Sequence, residues 1–365
     1  MNGALDGALD ALNATTRRHI RRTPVYIDGI FQSDPTMALI KKGCVVPFPG
    51  GRVIAGNITF DTLLGAAYDV GEDFDLSEQK TDEQMQFSVR HLYANVTTNL
   101  EMLEVYNVGE NAVARDIDSK LRNGYNSIGS WLASSLYMKS ATTGYGKLIT
   151  GFAEAISNGT DASWDGETYA SYGGLTRSTY NGALTSYRTT LSGNPIEYDD
   201  LTDGIQECSW GDGELEANAL ITTPKGKNSI KKRFQVQQRL NESTAVIGFK
   251  GISVENSTIY ASRYCPGQDV ATVGKKSNRV VTKFLTTTTR RAVTTYPSVS
   301  NETMFIGNIR KPNVHLHASS APRYQFGYTG WKLTAGNTKV SGQILFAGQL
   351  TVDNPSFFGT IVNFT

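Results

Sequence analysis

His315 and His317 stand two positions apart, so on a strand both imidazoles point to one face and could offer two nitrogen ligands to a metal ion. No third ligand is visible near them, and such a pair reads as structural or solvent-exposed. Cys44, Cys208 and Cys265 are odd in number and lack CxxC spacing, which argues against a disulfide framework and against structural zinc. Cys208 has no histidine near it in sequence to act as a base, and buried free thiols are usually inert packing groups. Asp199, Asp200 and Asp203 imitate a calcium loop, but Leu201 breaks the alternation of oxygen ligands; a helix capped by Asp199 explains them better. The chain contains no GxSxG elbow, HExxH helix or phosphate-cradling GxxxxGK[ST]. Gly144-Tyr145-Gly146 and Gly211-Asp212-Gly213 lack the third glycine of a dinucleotide fingerprint. The expectation is of no catalytic residue, no metal and no cofactor, and so of a structural role.

Composition agrees with a large folded body. The chain has 365 residues, 39% of them hydrophobic and 10% aromatic, with 36 glycines spread along it rather than clustered. Its 35 basic residues face 34 acidic ones, a net charge of +1. That balance speaks against tight nucleic-acid binding and is compatible with a container wall that holds DNA without adhering to it. Residues 1–22 lack the continuous apolar stretch of a signal peptide, and no later segment is long and apolar enough to span a bilayer. A reducing cytoplasm fits the cysteines.

The elements that position these residues follow from periodicity. Leu5, Leu9 and Leu12 predict a short amphipathic helix over 2–14, followed by Arg17, Arg18, His19, Arg21 and Arg22. That cluster is either a solvated basic face or an arm lying on a neighbour's acidic surface. Strand formers over 43–60 and 84–106 predict a long hairpin. Its tip carries Asp69, Glu72, Asp73, Asp75, Glu78, Asp82 and Glu83 around Lys80, which suits projection into solvent or across a neighbour. Val113, Ile117, Leu121, Tyr125, Ile128, Leu132 and Leu136 form one apolar stripe and predict a helix from about Asn107 to Met138, with Asn107 and Glu110 as its cap. Gly124 and Gly129 within it mark a bend or a close approach.

A second, mixed lobe starts near Gly151. It has a helix capped by Asp199 and carrying Leu201, Ile205 and Cys208, a buried strand at Ala219–Thr222, and a helix opened by Thr223-Pro224. Strands follow at 244–254 and 258–262. The last third is largely strand, at 302–309, 313–318, 323–333, 343–352 and 359–364, all expected to return to the first lobe.

Four stretches in this order resemble the major capsid proteins of tailed phages, the Hong Kong 97 phage capsid fold. They are the arm with its extended loop, the long helix, Asp199-Asp200-Leu201 through Ala217-Asn218-Ala219-Leu220-Ile221-Thr222-Thr223, and the closing Gly348-Gln349-Leu350-Thr351-Val352-Asp353-Asn354-Pro355. Arg263-Tyr264-Cys265-Pro266-Gly267 is similar to the family's central segment. The resemblance implies an α+β fold with four parts. These are an N-terminal arm (1–47), an extended β-hairpin loop (48–90), a peripheral domain with a spine helix and β-sheet (91–149 with 301–365), and an axial α/β domain (150–300).

It implies hexamers and pentamers closing an icosahedral head around double-stranded DNA, assembled in the host cytoplasm and located in the virion. Expected partners are further copies, a separate scaffolding protein, a portal and a decoration protein, with no membrane. Candidate inter-subunit contacts are Arg17, Arg18, Arg21, Arg22, Asp73, Glu78, Lys80 and Glu83. Some family members crosslink a loop lysine to a neighbour's asparagine; no partner for Lys80 can be matched here, so that chemistry is not carried over. Competing expectations are an encapsulin-type nanocompartment shell and an extracellular β-rich binding module, with an enzyme third.

Overall fold

A computed structural model describes residues 34–63, 65, 67, 69–71, 77–99, 110–137, 148–164, 167–180, 182–209, 216–234, 251–267, 283–284, 292–293, 301–311, 313–333 and 339–365. The basic cluster at 17–22, Asp73, Asn107, Met138 and most of the strand predicted at 244–254 lie outside them.

Two six-stranded sheets share the chain. Five helices are described: α1 Pro35–Gly43, α2 Glu110–Ser135, α3 Phe152–Ala155, α4 Tyr198–Glu207 and α5 Pro224–Phe234. The first sheet runs β1 (Val45–Phe48), β14 (Val314–Ser319), β17 (Lys339–Val352) and β15 (Gln325–Tyr328), with β16 (Lys332–Leu333) and β4 (Arg90–Asn99) also on β17. The second runs β7 (Tyr187–Thr190), β18 (Phe358–Phe364), β13 (Glu302–Gly307), β8 (Ala219–Thr222), β10 (Ser257–Ala261) and β9 (Ile252–Val254). A hairpin of β2 (Val53–Thr59) and β3 (Asp82–Ser88) stands beside them, and β5 (Ser171–Tyr172) with β6 (Leu175–Thr176) forms a two-residue ladder. Lys283–Phe284 and Ala292–Val293, β11 and β12, make a separate antiparallel pair.

Helix α2 is the predicted long helix, 26 residues and so about 39 Å at 1.5 Å per residue. Ile117, Leu121, Tyr125, Ile128, Leu132 and Leu136 are all buried, which is the stripe read from the sequence. Gly124 marks a close approach: a β-carbon there would lie 2.8 Å from both Ile344 Cδ1 and Val96 Cγ2. The helix therefore sits directly on β4 and β17.

Three expectations change. Residues 34–47, read as the end of an arm, belong to the body. Asp34 caps α1 by accepting from the Thr36 N–H at 3.0 Å, Met37 and Ile40 are buried, and β1 pairs in parallel with β14. Next, the run 84–106 does not form one strand. It breaks at Val89, whose N–H donates to the Arg52 carbonyl; β3 stays with β2, while β4 pairs with β17 over ten residues. Finally, β13 and β18, expected on the spine-helix sheet, sit at the centre of the second sheet. Their side chains are apolar or uncharged on both faces apart from Glu302, so they are stable only where both faces are covered. The chain thus crosses between the sheets repeatedly, and neither is built from one continuous stretch.

The expected strand Ala219–Thr222 is β8, buried throughout, and Thr223 caps α5 as predicted by accepting from the Gly226 N–H at 3.0 Å. Helix α4 is capped two residues earlier than expected: its N-cap is Glu197, whose N–H donates to Asp200 at 2.8 Å, so Asp199 lies in the first turn.

The hairpin is anchored at its base. Gly173 and Gly174 take left-handed conformations (φ 57° and 84°) in the β5–β6 turn, and the Gly173 carbonyl accepts from the Gln86 N–H at 2.8 Å. A β-carbon at Gly173 would meet Met85 at 2.7 Å, and the Phe87 and Tyr172 rings lie 5.1 Å apart.

Candidate assembly surface

The groups capable of chemistry are engaged in structure. His315 Nδ1 lies 3.0 Å from Asp353, and His317 Nε2 is 3.2 Å from the Thr351 hydroxyl, which donates toward Asp353 at 3.4 Å. The two rings, on one face of β14 as predicted, are 5.8 Å apart. Burial, then neighbouring His315, holds the His317 imidazole below its ordinary pKa, with Asp353 acting the other way. Among the described residues no three His, Cys, Asp or Glu side chains converge as metal ligands. The thiols of Cys44, Cys208 and Cys265 are all buried, and burial pushes each up, Cys44 to about 11, away from the thiolate form a nucleophile needs. Buried Glu302 is held by the Thr223 hydroxyl and has the Lys225 ammonium 3.8 Å away, which ties the start of α5 to β13. Buried Asp34 accepts from the Ser262 hydroxyl at 2.5 Å, fixing the start of α1 to the strand end after β10.

Arg177 closes the connection between the lobes. Its guanidinium donates to the carbonyls of Tyr169, Leu184, Glu154 and Ala155 and lies over the Tyr172 ring. Burial lowers its pKa to about 10, and nearby Tyr172 and Glu154 act the other way.

The surface features lie elsewhere. On β4, residues 92, 94, 96 and 98 are buried under α2, and 91, 93, 95 and 97 face solvent. On β17 the same alternation holds from 339 to 346, after which every residue is buried; there Gln349 exchanges two hydrogen bonds with Thr150 on the otherwise open face. Register sets Tyr93 opposite Leu345 and Asn95 opposite Gln343. At the edge, β15 carries a bulge at Phe326, a left-handed residue (φ 57°) whose ring turns inward to stack on Phe346 at 4.7 Å. The preceding Tyr324 is left outside, its ring edge-on to His91 at 6.2 Å. His91, Tyr93, Tyr324, Gln343 and Leu345 thereby line a groove of about 190 Å³, with Tyr93 42% and Tyr324 39% exposed.

The groove's surroundings are basic. From Arg310 to Val352 the sequence holds five Lys or Arg and no carboxylate, and β4 carries none either. The hairpin tip is the opposite: between 61 and 83 eight carboxylates face Lys80 alone. Of the predicted contact residues, Lys80 and Glu83 pair with each other on the exposed start of the hairpin's return strand, and Glu78 is exposed nearby. The structure thus places these three on one projection. Tyr93, Tyr324 and Leu345 were not singled out from sequence; the carboxylate-free stretch and the clean alternation of 90–99 were the signals available.

No protein-family model and no curated protein matches the chain in sequence. Solved structures do match in backbone. The capsid of cyanophage A-1(L) aligns with a TM-score of 0.62 at 12% identity, over 91% of this chain and 92% of that one. The holo-SrpI encapsulin complex of Synechococcus elongatus PCC 7942 aligns at 0.56 and 10% identity, over 90% and 88%. The capsid of a native GTA particle aligns at 0.53 and 9% identity, over 90% of each. With the spine helix on a long mixed sheet, the projecting hairpin and the second α/β sheet all present, this chain has the fold of tailed-phage major capsid proteins, the Hong Kong 97 type.

Proposed function

We propose that the chain is the major capsid protein of a tailed phage, a non-enzymatic subunit that tiles as hexamers and pentamers into an icosahedral head around double-stranded DNA. The observation that carries this reading is the capsid match along about nine-tenths of both chains, so that the likeness extends well beyond a core alone. In this reading the second sheet with α4 and α5 is the axial domain at the capsomer centre. The spine-helix sheet is the peripheral domain, and the hairpin and the residues before 34 reach neighbours. Closed shells of this kind rest on modest heterologous contacts repeated by symmetry, each subunit held by several neighbours. Near-neutral net charge suits a wall that does not adhere to packed DNA. A scaffolding protein, a portal and a decoration protein are the expected partners, the cytoplasm of the host the place of assembly, and the virion the final location.

An encapsulin-type compartment is a second reading, favoured by the encapsulin match at a TM-score of 0.56. Electron microscopy separates the two. The chain is expressed alone and together with the genes that flank it. The capsid reading expects heads only in the second case; small uniform cages from the chain alone indicate a compartment, and a compact monomer in both cases refutes a shell role.

A further inference from the structure

We propose that Arg177 and Tyr172 form a coupling joint between the β2–β3 hairpin and the second sheet, so that loosening the hairpin from its seat loosens α3 and β7, and the reverse. Whatever grips the hairpin is thereby felt in the second sheet. The proposal concerns the single chain and does not depend on the shell reading.

The joint is built from both sides. On the hairpin side, the Phe87 ring of β3 lies 5.1 Å from the Tyr172 ring, and the Gln86 N–H donates to the Gly173 carbonyl at 2.8 Å. The Tyr172 hydroxyl accepts from the Val352 N–H at 2.9 Å, which fixes that ring to the end of β17, and the Arg177 guanidinium lies over it at 5.3 Å. On the other side, Arg177 Nε donates to the Tyr169 carbonyl at 2.9 Å and Nη2 to the Ala155 carbonyl at 3.2 Å, with the Leu184 and Glu154 carbonyls as further acceptors. Glu154 and Ala155 belong to α3, whose Phe152 packs 6.3 Å from Phe305 of β13. Leu184 leads into β7, and between them the Ser186 hydroxyl donates to the Pro355 carbonyl at 2.7 Å, just before β18. Gly159, left-handed at φ 79°, closes over the arginine stem: a β-carbon there would lie 3.1 Å from Arg177 Cδ.

A guanidinium is a rigid planar fork of donors, so the carbonyls it holds are fixed relative to one another and to the ring it covers. Arg177 is buried, and a buried cation deprived of some of its acceptors is strongly disfavoured. The cage therefore holds or opens as a whole, which is the two-position element that coupling between separate segments requires. Removing the Phe87 ring takes away packing that keeps Tyr172 beside the guanidinium, and the fork passes the change to α3 and Leu184. Coupling of this kind is reciprocal: as Phe87 acts on the second sheet, Arg177 acts on the hairpin.

The test is amide hydrogen exchange of the isolated full chain, read peptide by peptide. Phe87→Ala touches none of the carbonyls that Arg177 holds, yet it is expected to speed exchange over 152–157 and 184–190 by roughly fivefold or more. Strands β9 and β10, at the opposite edge of the second sheet from β7, are expected to exchange as in the parent. Arg177→Lys keeps the charge and loses the fork, and is expected to speed exchange over 82–88 by a similar factor. The double variant is expected to exchange no faster in either segment than the more severe single one, because both changes open one joint. Acceleration in Phe87→Ala that stays within the hairpin, or that spreads equally to β9 and β10, overturns the coupling. So does an Arg177→Lys chain whose hairpin exchanges as in the parent; if that variant does not fold, Phe87→Ala alone decides.

Discussion

In the second sheet, β8 and β13 are buried along their whole length and β18 nearly so, because strands, helices α4 and α5, and the aromatic cluster of Tyr137, Phe152 and Trp164 around Phe305 cover both faces. The spine-helix sheet has α2 on one face only. Its other face is covered where Thr150 meets Gln349 and bare where Tyr93 and Leu345 meet. Both sheets have six strands, yet among the described residues the second is covered on both faces and the first only in part. An antiparallel sheet tolerates a solvated face, and here the bare part is aromatic-walled, with Lys332 and Lys339 on the same face. The difference teaches that burial within the chain is concentrated in the second sheet, and that the exposed aromatic surface lies on the first.

Substitutions at the two sheets should therefore separate folding from assembly. The largest effect is expected for Phe305→Ala, which empties a site 4.6 Å from the Trp164 ring and should cost about 3–5 kcal/mol in urea unfolding of the isolated chain. Next, Gly124→Ala pushes a methyl group into Ile344 and Val96 and should cost about 1–3 kcal/mol; Ile344→Val, which removes the obstructing Cδ1, should recover part of it. A smaller effect concerns pH. Because His317 has a lowered pKa in the folded state, its contribution to stability is complete above the ordinary value of about 6.5 and is lost as pH falls below it. Thermal melts of His317→Gln should show a shallower loss of stability on acidification than the parent. Smallest of all, Tyr93→Ala should change the stability of the isolated chain by no more than about 0.5 kcal/mol while depressing particle formation. Equal folding costs for Phe305→Ala and Tyr93→Ala would erase the contrast between the sheets.

Periodicity made the spine helix legible, since the stripe from Ile117 to Leu136 depends only on the helix's own repeat and every member proved buried. Thr223 and Ala219–Thr222 were legible for the same local reason. Pairing was not. A run such as Thr303-Met304-Phe305-Ile306 announces burial on both faces but not which sheet supplies it, and β13 went to the second sheet rather than the first. Residues 34–47 looked like the end of an arm because α1 and β1 are short; docking against β14, burial of Met37 and Ile40 and the bond from Ser262 to Asp34 stabilise them. The hairpin's acidic tip was visible in composition, but the groove was not, because it arises from β4, β17 and a bulged edge that register alone brings together.

The most direct measurement is hydroxyl-radical footprinting of Tyr93 and Tyr324 in the free chain and in assembled particles. Both are expected to react readily in the free chain and to lose most of that reactivity on assembly, while buried Tyr137 stays unreactive throughout. Particles in which Tyr93 and Tyr324 react as fast as in the free chain would contradict the claim that neighbouring copies complete this sheet.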